Sequence, residues 1–176
     1  MPGMKLPGNL FLIGLMGVGK TTVGRLLAQQ SSKFFLDCDH AIEANSGVTI
    51  EHIFSVEGEA GFRRRETAML KLLCEQHNVV LATGGGVILN QQNWQYLHHR
   101  GHVVYLRAGI EFLYQRLRND KKRPLLPQPN RYQSLQQLWQ QRDPLYRALA
   151  HSVIDVEQYN RYALVQQIIR HCSLSS

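Results

Sequence analysis

One eight-residue stretch near the start of the chain restricts the possible folds more than any other feature. Residues 14–21 read Gly-Leu-Met-Gly-Val-Gly-Lys-Thr and match the phosphate-loop pattern G-x-x-x-x-G-K-[ST]. An apolar run at residues 10–13 precedes it and a helical pattern follows, which is the strand–loop–helix context that the pattern requires. The glycines let backbone N–H groups turn towards one point, and the helix directs its positive dipole end there.

This context predicts a nucleoside triphosphate site, with Lys20 on the phosphates and the Thr21 hydroxyl on Mg²⁺. The alternative is a glycine-rich turn with a chance lysine, and it leaves the flanking strand and helix unexplained. The question that remains is which molecule receives the phosphate.

Apolar runs alternate with helical patterns along the rest of the chain. The expected strands lie at residues 10–13, 34–36, 79–83, 102–106 and 152–156. The expected helices lie at residues 20–31, 40–45, 49–56, 59–77, 91–100, 109–119, 135–150 and 162–171. Connections of this length allow right-handed crossovers, so we expect a three-layer α/β fold with a parallel sheet between helices. A length of 176 residues fits one domain, residues 1–176.

Several local expectations follow from single residues. The strand at 34–36 is predicted to be buried, Thr49 to cap a helix, and Gly58 to break that helix from the next one. Pro144 should start or kink the helix at 135–150. The inward-facing residues of the helix at 59–77 are expected to be Phe62, Met69, Leu70, Leu72 and Leu73.

The basic charge of the chain is grouped rather than spread along one stripe. The formal net charge is +7, and arginines cluster at residues 63–65, 116–123 and 142–147. Grouping of this kind favours a closed pocket for an anion, although a nucleic-acid surface is the alternative. The eight histidines show neither catalytic nor metal-binding spacing, and we interpret them as surface or packing residues.

Cysteine spacing and apolar runs bear on the compartment. Cys38, Cys74 and Cys172 have neither paired nor metal-binding spacing, which predicts reduced thiols in a cytoplasmic protein. The start of the chain lacks the apolar core of a signal peptide. No apolar run approaches the roughly 20 residues that a membrane span needs.

Two acids and three glycines lie where the second and third predicted strands end. Asp37 and Asp39 lie where the second strand ends, so they should face the same crevice as the phosphate loop, on one side if the strand continues. The alternative is that one of them only caps the next helix. The third strand ends without an acid and runs into 84–86, three glycines that permit close backbone approach to a ligand. A plain tight turn is the other interpretation. Without an acid there, Asp37 is the nearest candidate to support the metal, through water.

Two further segments carry charge towards this crevice. Arg63 and Glu66 are three residues apart, so they can pair on one helical face, and Glu66 can aim Arg63 at an acidic substrate. The alternative is a pair with no further role. The segment 121–131 is basic and interrupted by prolines, which predicts a lid that brings Arg123 over the phosphates. The other interpretation of this segment is an exposed flexible loop. Arg64 and Arg65, next to Arg63, have no assigned role.

Together these motifs resemble those of the shikimate kinases, within the nucleoside-monophosphate-kinase-like group of phosphate-loop folds. Besides the phosphate loop, the resemblance rests on Asp37-Cys38-Asp39, on Gly58-Glu59-Ala60-Gly61-Phe62-Arg63 with Glu66, on Gly84-Gly85-Gly86, on Arg123-Pro124-Leu125-Leu126 and on Arg142-Asp143-Pro144-Leu145-Tyr146. It covers about residues 10–170. It implies sheet order 2-3-1-4-5, substrate-binding helices at about 39–66 and a mobile lid at about 119–134.

The resemblance also implies a reaction and a set of site residues. The reaction is transfer of the γ-phosphoryl group of ATP, the co-substrate, to the 3-hydroxyl of shikimate, on the route to chorismate and the aromatic amino acids. The implied catalytic residues are Lys20, Asp39 and Arg123. The implied substrate-binding residues are Asp39, Arg63, Gly85 and Arg142. The implied ATP-binding residues are Gly17, Val18, Gly19, Lys20, Thr21, Thr22, Arg116, Arg123 and Gln158. One Mg²⁺ per chain would be held by Thr21 directly and by Asp37 through water, in a cytoplasmic monomer that binds neither nucleic acid nor membrane.

Three other hypotheses stay open from the sequence. The first is a gluconate kinase or nucleotide kinase on the same fold, against which the triple glycine and residues 123–126 argue. The second is a basic, ATP-dependent nucleic-acid-binding module, for which the chain offers no recognition motif or aromatic stripe. The third is a relative that binds the same ligands without catalysis.

Overall fold

The computed structural model of the protein describes residues 6–127 and 129–174. Residues 1–5, Gln128 and residues 175–176 lie outside the described part of the chain. The first segment bears on the expected lack of a signal peptide, Gln128 on the expected lid, and all of them on the expected domain of residues 1–176. The strands are β1 (Leu10–Ile13), β2 (Phe34–Asp37), β3 (Val79–Ala82), β4 (His102–Arg107) and β5 (Ser152–Asp155). The helices are α1 (Lys20–Ser31), α2 (Cys38–Ser46), α3 (Ile50–Cys74), α4 (Gln91–Arg100), α5 (Ile110–Leu117), α6 (Arg131–Leu149) and α7 (Arg161–Leu174).

The five strands form one parallel sheet in the order β2-β3-β1-β4-β5, as expected. β1 lies at the centre, and all four of its side chains are buried. The register pairs Leu12 with Ala82 and Asp37 with Ala82, so β1, β2 and β3 end at the same edge of the sheet. The loops after these strands therefore meet, which is where open α/β sheets bind their ligands.

Two side chains expected in the core are exposed instead. Phe34 is 70% exposed because β2 is an edge strand with β3 as its partner in the sheet. Leu72 is 57% exposed, whereas Phe62 and Leu70 on the same helix are buried. Burial at β2 depends on the order of the strands, and an apolar run alone does not reveal that order.

α6 begins at Arg131, four residues before the expected start, and it continues through Pro144. Proline removes the N–H that would bond to the carbonyl four residues earlier. That carbonyl belongs to Gln140, an exposed residue, so water can replace the missing donor there. α6 therefore does not start at Pro144, which was one of the two outcomes expected there, and the kink stays a prediction.

α3 bends at Gly58, where a φ of 70° breaks the helical geometry as expected. The Thr49 hydroxyl caps the first half by accepting the His52 N–H at 3.2 Å, also as expected. Arg65 Nε donates to Glu57 Oε2 at 2.8 Å across the bend. A Cβ on Gly61 would lie 2.4 Å from the Glu57 Cβ. Arg65 and Gly61 thus stabilise the bent form of α3.

Within the residues that the structure describes, no helix combines the length and the apolar character that crossing a bilayer requires.

Candidate active site

The phosphate loop connects β1 to α1 at the edge where the strands end. Gly17 and Gly19 have φ values of 83° and 103°, a region that favours glycine. A Cβ on Gly17 would also lie 2.8 Å from the Leu117 side chain at the end of α5. The loop conformation therefore depends on these glycines, as the pattern predicts.

Lys20 turns its ammonium group back over the same loop. Its Nζ donates to the Gly14 carbonyl at 2.5 Å and to the Leu15 carbonyl at 3.0 Å. Burial lowers the pKa of Lys20 to about 8, although Asp39 nearby acts in the opposite direction. A phosphate placed against this ammonium would favour the charged form and raise the pKa again.

Asp37 ends β2 and faces the loop. Its Oδ2 accepts the Thr21 hydroxyl at 2.7 Å, and its Oδ1 accepts the His40 N–H at 3.0 Å, which caps α2. One carboxylate thus has both the functional and the capping contact that the sequence left as alternatives. The strand does not continue to Asp39, which lies in the first turn of α2 instead.

These oxygens suit Mg²⁺, which prefers hard oxygen ligands and usually takes one or two from the protein and the rest from phosphates and water. No cluster of three or more His, Cys, Asp or Glu within the described part of the chain could hold a metal by itself. The Thr21 hydroxyl and the Asp37 carboxylate therefore fit a shared magnesium site, with the nucleotide supplying further ligands.

One carboxylate oxygen of Asp39 makes no hydrogen bond within the described chain. This oxygen, Oδ1, is buried. Burial raises the pKa of Asp39, and the neighbouring Asp37 raises it further. A Cβ on Gly84 would lie 3.2 Å from this oxygen and 2.5 Å from Glu66 Oε2. The first glycine of the triplet therefore makes room for two carboxylates, and the unused oxygen points to a ligand hydroxyl.

Arg63 is held by acids on its own helix. Its Nη1 donates to Glu66 Oε1 at 3.0 Å and its Nη2 to Glu59 Oε1 at 3.3 Å, whereas its buried Nε has no partner in the described chain. Glu66 is 1% exposed, and burial raises its pKa while Arg63 opposes the rise. A Cβ on Gly86 would lie 2.3 Å from the Arg63 Cζ. Sequence reasoning missed Glu59, although its spacing of four from Arg63 is a signal for such a pair.

Arg142 is 2% exposed, and its Nε and Nη1 have no hydrogen-bond partner among the described residues. A Cβ on Gly85 would lie 3.5 Å from Nη1. The Tyr146 hydroxyl donates to the Gly85 carbonyl and so fixes this peptide beside the guanidinium. A buried guanidinium with N–H groups that lack a partner is costly unless an anion binds it, so the arrangement points to an anionic ligand.

The site consists of two adjoining cavities. One of about 300 Å³ is lined by Asp39, Arg63, Gly85 and Arg142, with Phe54 and Phe62 among its apolar walls. The other, of about 220 Å³, is lined by the phosphate loop. Its lining includes Gly17, Gly19, Lys20, Thr21, Thr22 and Asp37. Both cavities share Met16, Asp39, Gly84, Gly85 and Arg123. Asp39 and Arg123 therefore lie at the boundary where a phosphate donor and a hydroxyl acceptor would meet.

Two residues expected to bind the adenine are less close to these cavities. Arg116 Nη1 donates to the carbonyls of Gly17 and Val18 at 3.1 and 3.2 Å, which places it behind the phosphate loop. Gln158 is exposed in a short 3₁₀ turn after β5. Neither residue belongs to the described lining of the two cavities. Their contacts with a base stay predictions.

Known shikimate kinases are similar in sequence to most of this chain. The family model for shikimate kinase matches residues 16–173. A shikimate kinase from Chromobacterium violaceum is 48% identical over 96% of this chain and 92% of its own length. One from Thiobacillus denitrificans is 54% identical over 84% of this chain and 80% of its own length.

Solved structures agree with the sequence matches. A shikimate kinase from Acinetobacter baumannii, in complex with shikimate, has a TM-score of 0.90 and 48% identity, covering 93% of this chain and 91% of that chain. A gluconokinase from Sinorhizobium meliloti has a TM-score of 0.58 and 16% identity, covering 97% of this chain and 92% of that chain. At that identity the second likeness concerns the fold alone.

Proposed function

The chain belongs to the shikimate kinase family, and on that premise we propose how its residues divide the work of the reaction. The protein is a kinase that phosphorylates shikimate with ATP, giving 3-phosphoshikimate and ADP on the route to chorismate and the aromatic amino acids. The observation that carries the residue assignment is the boundary between the two cavities, where Asp39 and Arg123 line both.

Shikimate occupies the larger cavity, with its carboxylate between Arg63 and Arg142 and beside the Gly85 backbone. The unpaired Arg142 Nε and Nη1 and the unpaired Arg63 Nε support this placement, because a carboxylate can accept from two N–H groups of a guanidinium at once. Asp39 Oδ1, which has no partner in the described chain, accepts hydrogen bonds from the hydroxyl groups of shikimate.

ATP lies along the smaller cavity, with its phosphates on the backbone N–H groups of residues 17–22 and on Lys20. Arg116 contacts the adenine from behind the loop, and Gln158 borders it. The Thr21 hydroxyl and, through water, Asp37 would hold one Mg²⁺, which would neutralise charge on the phosphates. The hydrogen bond between Thr21 and Asp37 supports this pairing.

Transfer is mostly a matter of position and charge. Lys20 and Arg123 stabilise the negative charge on the transferring group, from the loop side and from the lid side. Asp39 orients the shikimate hydroxyl and accepts its proton as the oxygen bonds to phosphorus and the bond to ADP breaks. Its raised pKa suits a group that takes up a proton.

The organisation of the enzyme is a further part of the proposal. We assign a single domain, residues 1–176, with substrate-binding helices at about 39–66 and a lid at about 119–134. The protein acts as a cytoplasmic monomer that binds neither nucleic acid nor membrane. The three cysteines are free and buried, which is compatible with a reducing compartment.

An assay of ADP release over shikimate, gluconate and several nucleoside monophosphates tests the acceptor. A site built around two arginines and a buried carboxylate should prefer shikimate by about 10³-fold or more in kcat/KM, because a wrong acceptor leaves those polar groups unpaired. Turnover of gluconate equal to that of shikimate would contradict the assignment. Tight retardation of nucleic acid in a gel at moderate salt would contradict the proposed lack of nucleic-acid binding.

Replacing Arg142 by alanine should raise the KM for shikimate on the order of 100-fold, with a smaller change in kcat and in the KM for ATP. The change removes N–H groups that we assign to the carboxylate of shikimate. That carboxylate does not react, so the lost contact weakens binding of the substrate more than it slows the transfer step. Arg147→Ala on the same helix is the matched control. Arg147 is 52% exposed and pairs with Asp143 at 3.0 Å, outside both cavities. An unchanged KM in Arg142→Ala would remove Arg142 from the carboxylate site.

A further inference from the structure

The guanidinium of Arg131 is buried inside the segment that joins α5 to α6. Arg131 is 4% exposed, and its Nε donates to the Leu126 carbonyl at 2.8 Å. Its Nη1 donates to the carbonyls of Leu117 and Asp120. One side chain thus connects the end of α5, the middle of the segment and the start of α6. All three acceptors are backbone oxygens, so their dipoles stabilise the buried charge.

Two of the residues that Arg131 binds, Asp120 and Leu126, also hold Arg123. The Asp120 carboxylate accepts Arg123 Nε at 2.9 Å, and the Leu126 N–H donates to the Arg123 carbonyl at 3.0 Å. Asp120 is further fixed by the Lys122 N–H at 2.8 Å, the main cause of its lowered pKa, so the carboxylate is charged. The side chain and the main chain of Arg123 are therefore both bound to residues whose backbone carbonyls bind Arg131.

Arg131 itself reaches neither the donor nor the acceptor. Arg123 lines both cavities of the site, whereas Arg131 belongs to the described lining of neither. Through Leu117, however, Arg131 is linked to the phosphate loop, because the Leu117 side chain fills the space beside Gly17. The lid segment and the loop that holds the phosphates thus share one anchor.

We propose that Arg131 is a positioning residue that fixes Arg123 over the boundary of the two cavities. The inference rests on the proposed role of Arg123 at the phosphates. Without the guanidinium, the peptides of Asp120 and Leu126 lose their common anchor, and Arg123 no longer has one defined position. A misplacement of about 1 Å can cost about 100-fold in rate, so Arg131→Met should lower kcat by about that factor. The KM for shikimate should change less, since Arg63 and Arg142 stay in place.

A double-mutant cycle separates this role from a general contribution to stability. The four enzymes are the wild type, Arg131→Met, Arg123→Ala and the double variant, each assayed for kcat. If Arg131 acts through Arg123, the double variant is no slower than Arg123→Ala alone, because the two residues work as a unit. Arg170→Met, which removes an exposed arginine on α7, is the matched control and should keep the wild-type kcat.

Each other outcome overturns the proposal. Losses that multiply in the double variant would show that Arg131 acts independently of Arg123, and a wild-type kcat in Arg131→Met would show no role at all. If circular dichroism shows that Arg131→Met is unfolded, Arg131→Lys replaces it in the cycle, with an intermediate kcat expected. Failure of both variants to fold would assign Arg131 to overall stability instead. A wild-type kcat in Arg123→Ala alone would contradict the proposed role of Arg123. Because the cycle includes this single variant, that failure is distinguished from a failure of the proposal on Arg131.

Discussion

Lys20→Ala is expected to lower kcat by about 10³-fold, the size of effect seen when a preorganised charge-stabilising donor is lost. The Lys20 ammonium lies within the phosphate loop, 2.5 Å from the Gly14 carbonyl, and we assign it to the transferring phosphate. Burial makes its charge more effective there, because fewer water molecules screen it. ADP release at saturating shikimate and ATP measures the effect.

Lys33→Ala provides the control for Lys20. Burial also lowers the pKa of Lys33, but its Nζ donates to the Gly8 carbonyl and to Asn78 Oδ1, at the end of the sheet where β2 begins. We expect wild-type turnover from this variant. If Lys20→Ala kept more than about a tenth of the wild-type kcat, the proposed contribution of Lys20 to the transition state would be wrong.

The lowered pKa of Lys20 gives the same prediction a second readout. With a pKa of about 8 in the free enzyme, Lys20 loses its proton as pH rises through that value, and phosphates favour the charged form. Nucleotide affinity should therefore fall above about pH 8, and binding there should take up a proton. Calorimetry in two buffers of different ionisation enthalpy should detect this uptake in the wild type and not in Lys20→Ala.

Asp39→Asn is expected to lower kcat by about 10²- to 10⁴-fold, the usual contribution of a general base. Asparagine has nearly the same shape, and Asp39 Oδ1 has no partner among the described residues, so the variant should fold. Because burial raises the pKa of Asp39, kcat/KM of the wild type should increase with pH through a value above the ordinary aspartate range. That acidic limb should be absent in the variant.

Asp37→Asn distinguishes the two acids. Asp37 contacts Thr21 and caps α2, so its variant should need a higher Mg²⁺ concentration and lose less kcat at saturating Mg²⁺. Wild-type-like turnover in Asp39→Asn would refute the proposed role of Asp39. An equal loss in both variants at saturating Mg²⁺ would contradict the division of labour between them.

Local patterns were sufficient to predict much of the fold. β1 and α1 have the expected bounds because an apolar run and a glycine-rich pattern define them from both sides. The two cavities also bring together Lys20, Asp39 and Arg142, which are far apart in the sequence. Lys20 and Asp39 meet because β1 and β2 end at one edge of the sheet, and α6 adds Arg142 to the same site.

Contacts to backbone atoms were beyond sequence reasoning. Arg131 binds three carbonyls, and carbonyls are present at every residue, so nothing in the sequence marks the partners. The same holds for Tyr146 and the Gly85 carbonyl, although a spacing of four places Tyr146 on the same helical face as Arg142. The exposure of Phe34 follows from the edge position of β2, which the strand order implied by the family resemblance already contained, whereas the burial prediction used the apolar run alone.

The glycine triplet has a consequence for resistance to inhibitors. A methyl group at Gly84 would meet Glu66 at 2.5 Å, and one at Gly86 would meet Arg63 at 2.3 Å, both far inside normal contact distance. Any substitution at either position therefore displaces the Glu66 carboxylate or the Arg63 guanidinium from its place in the substrate cavity. A resistance mutation at Gly84 or Gly86 against a compound that binds there would therefore also move a side chain of the substrate cavity.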